Sequence, residues 1–389
     1  MTHVTPRDHA LSRLAATPFA PGVTPDPLVL RLRAVHRAVA DLRRGTPVLL
    51  EGEEPLVLLP AETAGARGLA EFAAIAGASP VLLLAPARAV GVLRRPVDQG
   101  LPAVALALPR GILEPAMLRG LADPTADQLF SPDPEVCQAP FLAPAALALV
   151  KLSRLLPAVI AAPLKRDAAE RAADMSLLGV PAADVLTYPI QIAAGLVRVA
   201  EAEVPLQDAP DARVVAFRGP DAGIEHLAIV VGRPEAATTP PLVRLHSECF
   251  TGDLLGSLRC DCGPQLRGAI KRIAEDGAGV VLYLAQEGRG IGLVNKLRAY
   301  AMQDRGLDTL DANRALGWGA DERTFLVAAT MLEELGLREV RLLTNNPNKV
   351  AALAACGLVV HREQHSFAPN GVNDRYLATK AARFGHLLG

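Results

Sequence analysis

Arg244–Leu266 reads RLHSECFTGDLLGSLRCDCGPQL, and its three cysteines decide how the rest of the chain is read. Cys249 is followed by Cys260 and Cys262, with a turn-forming Thr251-Gly252-Asp253 between them. Thiolate is the soft ligand that selects zinc over magnesium or calcium. Two cysteines one residue apart aim both sulfurs at one ion only if the backbone bends between them, and the third sulfur then arrives from the preceding segment. Three protein ligands leave the fourth tetrahedral position free for water, as in a catalytic zinc site; His246 as fourth ligand would close the site into a structural one. Three buried cysteines without metal are a further reading, since cysteine packs as a small hydrophobe. No standard zinc-finger spacing is matched, so spacing by itself leaves all three open.

Outside this stretch, composition sets bounds. With 389 residues the chain exceeds one ordinary core and predicts two domains. Half the residues are hydrophobic and the net charge is −1, so no bulk basic field recruits nucleic acid. Five cysteines, an odd number, do not make a disulfide scaffold, and three held as thiolates point to a reducing cytoplasm. The N-terminus, MTHVTPRDHALSRL, carries charges where a signal peptide needs an apolar run. Ala143–Leu164 is the most apolar stretch, but it contains Lys151, Arg154 and Pro157 and predicts a buried helix, so no membrane partner is expected.

The first half alternates short apolar runs at Val48–Leu50, Leu56–Leu59 and Val81–Leu84 with helical spacing at Arg33–Arg44 and Gly68–Ala76. That alternation predicts an α/β domain. Ala183–Gly195 is the expected junction, giving domains 1–194 and 195–389. In the second half, the apolar strand Val280–Leu284 runs into Gln286-Glu287-Gly288-Arg289-Gly290-Ile291-Gly292 and then an amphipathic helix Leu293–Gln303. Glycines between strand and helix let backbone amides approach phosphate, although most such loops are only tight turns. Asp321 reads locally as the N-cap of a helix reaching about Leu335, and Arg323 as a solvated side chain. Val340–Leu343 predicts a strand, followed by Asn346 as N-cap and Pro347 at the first helical position. Trp318, Cys137 and Cys356 read as buried packing residues, and His361 and His365 as surface histidines of a loop.

Five blocks in order link the second half to a known family: RLHSECFTGDLLGSLRCDCGPQL, AQEGRGIGLVNKLRAYAMQDRGLDTLDAN, GWGADERTF, VRLLTNNPNKV and YLATKAARFGHLL. From about Arg198 to Leu388 the chain closely resembles GTP cyclohydrolase II, the enzyme that opens riboflavin biosynthesis. The resemblance implies an α/β (α+β) domain built on a mixed sheet flanked by helices, a homodimer, and GTP as substrate. It implies one zinc per chain on Cys249, Cys260 and Cys262, with Mg2+ accompanying the triphosphate. It implies Asp321 as proton acceptor, Arg323 as proposed nucleophile toward the α-phosphate, and Tyr300 as a proton donor near the metal. Substrate contacts carry over to Arg244, Gln265, Glu287, Gly288, Arg289, Thr309, Thr344 and Lys349, with Arg289 on phosphate and Glu287 on the guanine edge. Arginine is an unusual nucleophile because its pKa exceeds ~12, so an electrostatic role at the phosphate is the alternative. The implied reaction has water, activated by the zinc, attacking C8 of the guanine ring and releasing formate, while pyrophosphate leaves from the triphosphate.

A fainter resemblance covers Ala38–Thr63, AVADLRRGTPVLLEGEEPLVLLPAET, which looks like the opening of dihydroxybutanone phosphate synthase. That family binds magnesium and a sugar phosphate with a dense acidic and arginine cluster after its first strand. Here Glu51, Glu53 and Glu54 are followed by an apolar run, and no His-Thr-Glu motif stands around Arg166–Asp174. Magnesium needs convergent carboxylates and phosphate needs donors, so a degenerate, non-catalytic domain is expected. Its Leu56–Leu59 strand is expected to pack on the second half or on a second subunit.

Overall fold

The computed structural model describes residues 26–109, 113–127, 134–221 and 223–364. The N-terminal segment, His365 and the block YLATKAARFGHLL lie outside them.

The apolar runs of the first half all become strands. β1 (Val48–Glu51), β2 (Leu56–Pro60), β3 (Val81–Leu84), β4 (Val104–Ala107), β5 (Val136–Cys137), β6 (Ala158–Pro163) and β7 (Gly179–Pro181) form one sheet in the order β5-β4-β3-β6-β2-β1-β7. Every neighbouring pair is antiparallel except β1 with β7. β2 is buried along its whole length because helices cover both faces. Val57 and Leu59 join one core, and Leu56 and Leu58 the other. The strand is internal to its own sheet, and through Val57 and Leu59 it shares a core with residues of the second half, as expected.

The flanking helix Pro27–Arg43 starts at Asp26, whose side chain accepts the Leu28 N–H at 2.8 Å, with Pro27 at the first helical position. Leu32, Val35, Val39 and Leu42, three or four residues apart, form its buried stripe. Ala143–Leu164 is not one helix. It divides into a helix Ala143–Leu152, a turn in which Arg154 adopts φ 55°, and β6. Pro157 cannot continue a helix, and the apolar run after it suits a strand buried on both faces equally well.

The helix Ala182–Ala194 leads to the second sheet. Its strands are β8 (Val197–Glu203), β9 (Arg213–Arg218), β10 (Glu225–Val231), β11 (Leu242–Ser247), β12 (Gly279–Leu284), β13 (Glu339–Leu343) and β14 (Val359–Glu363), in the order β14-β13-β11-β12-β10-β9-β8. β14, β13, β11 and β12 run parallel, and β12, β10, β9 and β8 antiparallel. This is the mixed sheet flanked by helices that was expected, so the chain is α/β with two sheets. The parallel strands are joined through the helices Cys262–Asp276, Leu293–Asp304, Thr309–Ala315, Leu326–Glu334 and Pro347–Ala355. Parallel strands end on one edge, so the loops after β11, β12 and β13 face a common crevice.

The two halves are packed together. Ile291, Ala299, Met302, Ala312, Leu316 and Trp318 lie in the same apolar core as β2, β3 and β4 of the first sheet. Trp318 is a core residue, as expected. Cys137 and Cys356 are only part-buried at core margins. His361 lies exposed on β14, not in a loop, 2.8 Å from Glu339. Among the described residues no helix is long and apolar enough to cross a membrane.

Candidate active site

The three cysteines converge where β11 ends. Cys249 follows the strand, Cys260 sits in the loop, and Cys262 opens the helix Cys262–Asp276, so the bend between the last two is a loop-to-helix step. Their sulfurs lie within 4.8 Å of one another, the only such grouping of His, Cys, Asp or Glu among the described residues. The Cys249 and Cys260 sulfurs are 3.8 Å apart. A tetrahedral zinc with bonds of ~2.3 Å spaces its sulfurs by about 3.8 Å, so the donor set fits the ion. Gly252 completes the cradle, since a Cβ there would stand 2.5 Å from the Cys260 sulfur and 3.0 Å from that of Cys249. Its N–H also donates to the Cys249 sulfur at 3.3 Å.

His246 is not a fourth ligand. Its Nε2 lies 3.1 Å from both oxygens of Asp253, and its ring stacks on Tyr283 at 5.6 Å. Asp253 also accepts the Tyr283 hydroxyl and the Cys249 N–H, each at 3.0 Å. This buried network fixes the backbone at Cys249 and consumes the histidine.

Hydrogen bonds from the Cys260 and Cys262 thiols, then the Lys296 ammonium, hold Cys249 far below the ordinary thiol range, while Cys260 and Cys262 are pushed up in turn. The trio thus favours a first thiolate at Cys249. Lys296 Nζ lies 3.0 Å from that sulfur and 2.8 Å from Glu287 Oε1.

Of the fourteen residues singled out from the sequence, thirteen line one cleft; Asp321 does not. Arg244, from β11, is buried and its pKa falls to about 10 through desolvation. It donates to Leu343 O at 2.8 Å and to Gln265 Oε1 at 2.5 Å, so this pair forms part of the wall. Gly288 and Arg289 take left-handed φ angles of 63° and 64°, turning the loop after β12 back over the cleft. Thr309 starts a short helix and accepts from Gln303 at 3.2 Å. Thr344, just after β13, accepts the Asn346 N–H at 3.1 Å, and Asn346 caps the next helix as expected. Lys349 reaches back to donate to Leu245 O at 2.9 Å.

Two positions have partners that the sequence does not show. Glu287 borders the cleft, but Oε2 accepts the Phe250 N–H at 2.7 Å, and Oε1 accepts Lys296 and the Gly288 N–H. Its carboxylate thus braces the cysteine loop while it borders the cleft. Asp321 does not cap a helix, because the helix starts at Leu326. Instead it grips Arg323 from two sides, Nε to Oδ1 at 2.8 Å and Nη2 to Oδ2 at 2.5 Å. Burial pushes the Asp321 carboxyl up, but the Arg323 bonds outweigh it and keep the group below its usual range. Arg323 is not solvated. It donates to Ser247 Oγ at 3.3 Å, and its guanidinium lies 5.4 Å from the Phe325 ring centre.

Tyr300 lies on the helix Leu293–Asp304, part-buried, its hydroxyl 3.4 Å from Thr251 Oγ1, which is 3.7 Å from the Cys249 sulfur. Burial raises its pKa, so it holds its proton at neutral pH. Arg259 stands 5.0 Å from its ring centre. Arg259 and Lys296 were not singled out in the sequence. Lysine four residues before Tyr300 places both on one helix face, the signal that could have found Lys296.

Residues 197–365 match the family described as GTP cyclohydrolase II. A protein of Azospirillum brasilense named GTP cyclohydrolase-2 is 50% identical over 371 residues, spanning 92% of this chain and 94% of its own. A GTP cyclohydrolase-2 of Pasteurella multocida is 49% identical over 192 residues, covering 49% of this chain and 87% of its own. A solved two-domain 3,4-dihydroxy-2-butanone 4-phosphate synthase of A. baumannii aligns with 85% of this chain and 99% of its own at 17% identity, with a TM-score of 0.32, too low to carry an argument. Identity at this level along nearly the whole length makes the chain a member of the GTP cyclohydrolase II family, a hydrolase of the riboflavin pathway.

Proposed function

We propose that the chain hydrolyses GTP to 2,5-diamino-6-(5-phosphoribosylamino)pyrimidin-4-one, formate and pyrophosphate, using zinc on Cys249, Cys260 and Cys262. The observation that carries this is the convergence of three thiolate donors with Arg289, Arg323 and Lys349 in one cleft. A three-thiolate zinc retains an open position and supplies hydroxide and Lewis acidity near neutral pH. The cations suit a triphosphate, which carries Mg2+ into the cleft.

The residues divide the work. The base is held with C8 toward the cysteines, and Tyr300, protonated at neutral pH, donates to the ring nitrogen as the imidazole ring opens. A second hydrolysis frees C8 as formate. Arg323, held in a fork by Asp321, meets the α-phosphate. A guanidinium that stays protonated has no lone pair to attack with, so Arg323 stabilises developing negative charge, and Asp321 orients it. Arg289 holds phosphate through its forked donors. Lys296 balances the thiolate charge and fixes Glu287, which in turn fixes Phe250 beside Cys249. Arg244, Gln265, Gly288, Thr309 and Thr344 shape the walls of the cleft around nucleoside and phosphates.

In this reading residues 195–389 hold the chemistry and residues 1–194 are a non-catalytic domain; the protein acts in the cytoplasm as a homodimer. Incubating the zinc-loaded protein with GTP and Mg2+, and following formate, pyrophosphate and the pyrimidine together, tests it. Equal yields of the three are expected. Intact GTP, or formate without pyrophosphate, would overturn the assignment.

A further inference from the structure

Lys151 lies in the last turn of the helix Ala143–Leu152 and Arg154 in the turn that follows, and this corner touches the loops that carry the cleft's cations. Lys151 Nζ lies 2.6 Å from Glu322 Oε1 and 5.6 Å from the Trp318 ring centre. Glu322 stands between Asp321 and Arg323 in sequence, yet its side chain turns toward the first half. The same Oε1 accepts the Gly319 N–H at 2.7 Å, and the Glu322 N–H donates to Arg289 O at 3.1 Å. One residue therefore ties the loop of Arg323 to the loop of Arg289 and anchors both on Lys151.

Arg154 grips the other side of the glycine loop. Its Nη2 donates to Ala285 O at 2.9 Å, and its own carbonyl accepts from the fully buried Asn295 at 3.0 Å. Its side chain lies along Gly292, where φ is +86° and a Cβ would come within 3.2 Å of Arg154 Cδ. The left-handed φ of Arg154 itself, 55°, is what turns its chain toward this loop. Together, Lys151 and Arg154 hold both ends of the segment 285–292 and the pivot of the segment 317–325.

We propose that Lys151 and Arg154 are positioning residues for the hydrolase cleft, Lys151 acting through Glu322 and Arg154 through the 285–292 loop. This rests on the reading of Arg289 and Arg323 as phosphate-facing groups. The first half, which has no metal cluster among its described residues, contributes to the reaction by setting where the cations of the second half stand.

The test uses the full-length, zinc-loaded protein with Lys151→Met, Arg154→Ala, Glu322→Gln and the reversed pair Lys151→Glu with Glu322→Lys. Each single variant is expected to lower kcat for pyrophosphate release by about tenfold with zinc content unchanged, and the reversed pair to return within about fivefold of the parent, because a reversed ion pair restores the Coulomb attraction but not the Gly319 contact. Loss of a residue that merely stabilises the whole fold would loosen it generally and not at the two cleft segments alone. Hydrogen–deuterium exchange gives a readout independent of turnover: amides of 286–292 and 317–325 should exchange about tenfold faster in Lys151→Met and slow again in the reversed pair. If the parent fails to turn over GTP while exchange behaves this way, the proposed reaction is wrong and the positioning role stands. Parental kcat and parental exchange in Lys151→Met, or a reversed pair that rescues neither, would overturn the proposal.

Discussion

The first sheet is antiparallel at every pairing but one, whereas the second has four parallel strands running inward from its β14 edge. Antiparallel strands send alternate ends to opposite edges, so loops that follow them are scattered. Parallel strands deliver all their carboxyl ends to one edge, and there Cys249, Glu287, Arg289 and Thr344 come together. The acidic residues Glu51, Glu53 and Glu54 of the first half are exposed and join no ligand cluster among the described residues. The difference teaches that strand direction, more than the supply of polar residues, decides where this cleft forms.

The largest effect should come from the metal cradle. Cys260→Ser is expected to lose zinc and to slow formate release by at least about 10³-fold, the scale of removing several kcal/mol of charge stabilisation. Metal analysis and formate release read it; full turnover without metal would break the assignment to the second sheet. Next is Arg323→Ala, expected to slow pyrophosphate release by about 10²-fold with zinc retained, since a donor aimed at developing phosphate charge is worth that much. Equal pyrophosphate rates in mutant and parent would remove Arg323 from the phosphate.

A smaller effect concerns the seam between the two sheets. His226 is buried, and desolvation, then the Arg154 charge, lowers its pKa from 6.5 to about 4. Its Nδ1 accepts the Ala285 N–H at 3.1 Å, which requires the neutral ring. A folded pKa below the unfolded one means the stabilisation is complete above pH 6.5 and is lost as pH falls toward 4. The stability lost over that window is roughly 3 kcal/mol at most, and His226→Gln should flatten it in urea unfolding measured at several pH values. An unchanged slope in the mutant would count against it. The smallest effect is expected in the first sheet: Glu51→Gln, Glu53→Gln and Glu54→Gln together should change GTP turnover by less than about twofold, as for surface changes away from a site. Ribulose 5-phosphate with Mg2+ should give no dihydroxybutanone phosphate; its appearance would make the first half catalytic after all.

Much of this was legible in the sequence because the signals were local. β1, β2 and β3 stand where apolar runs bounded by turn residues place them, and the three cysteines were identifiable from ligand chemistry. Other features depend on contacts distant in the chain. The helix expected from Asp321 starts five residues later because Asp321 and Glu322 are engaged by Arg323 and by Lys151. Glu287 could not be read as a brace without knowing that Phe250 and Lys296 reach it. Ala143–Leu164 was misread because an apolar run fits a buried helix and a buried strand alike until Pro157 is placed. The gathering of Cys249, Arg289 and Thr344 at one edge was hidden for the same reason, since strand direction is set by pairing and leaves no local mark.

The central claim is that the ends of the parallel strands assemble three thiolates around an open fourth position. Zinc K-edge X-ray absorption on the full-length protein tests it most directly. Three sulfurs at ~2.3 Å and one oxygen at about 2.0–2.2 Å, with no imidazole outer-shell scattering, are expected. A fourth sulfur, or the outer-shell pattern of a bound histidine ring, would contradict the account.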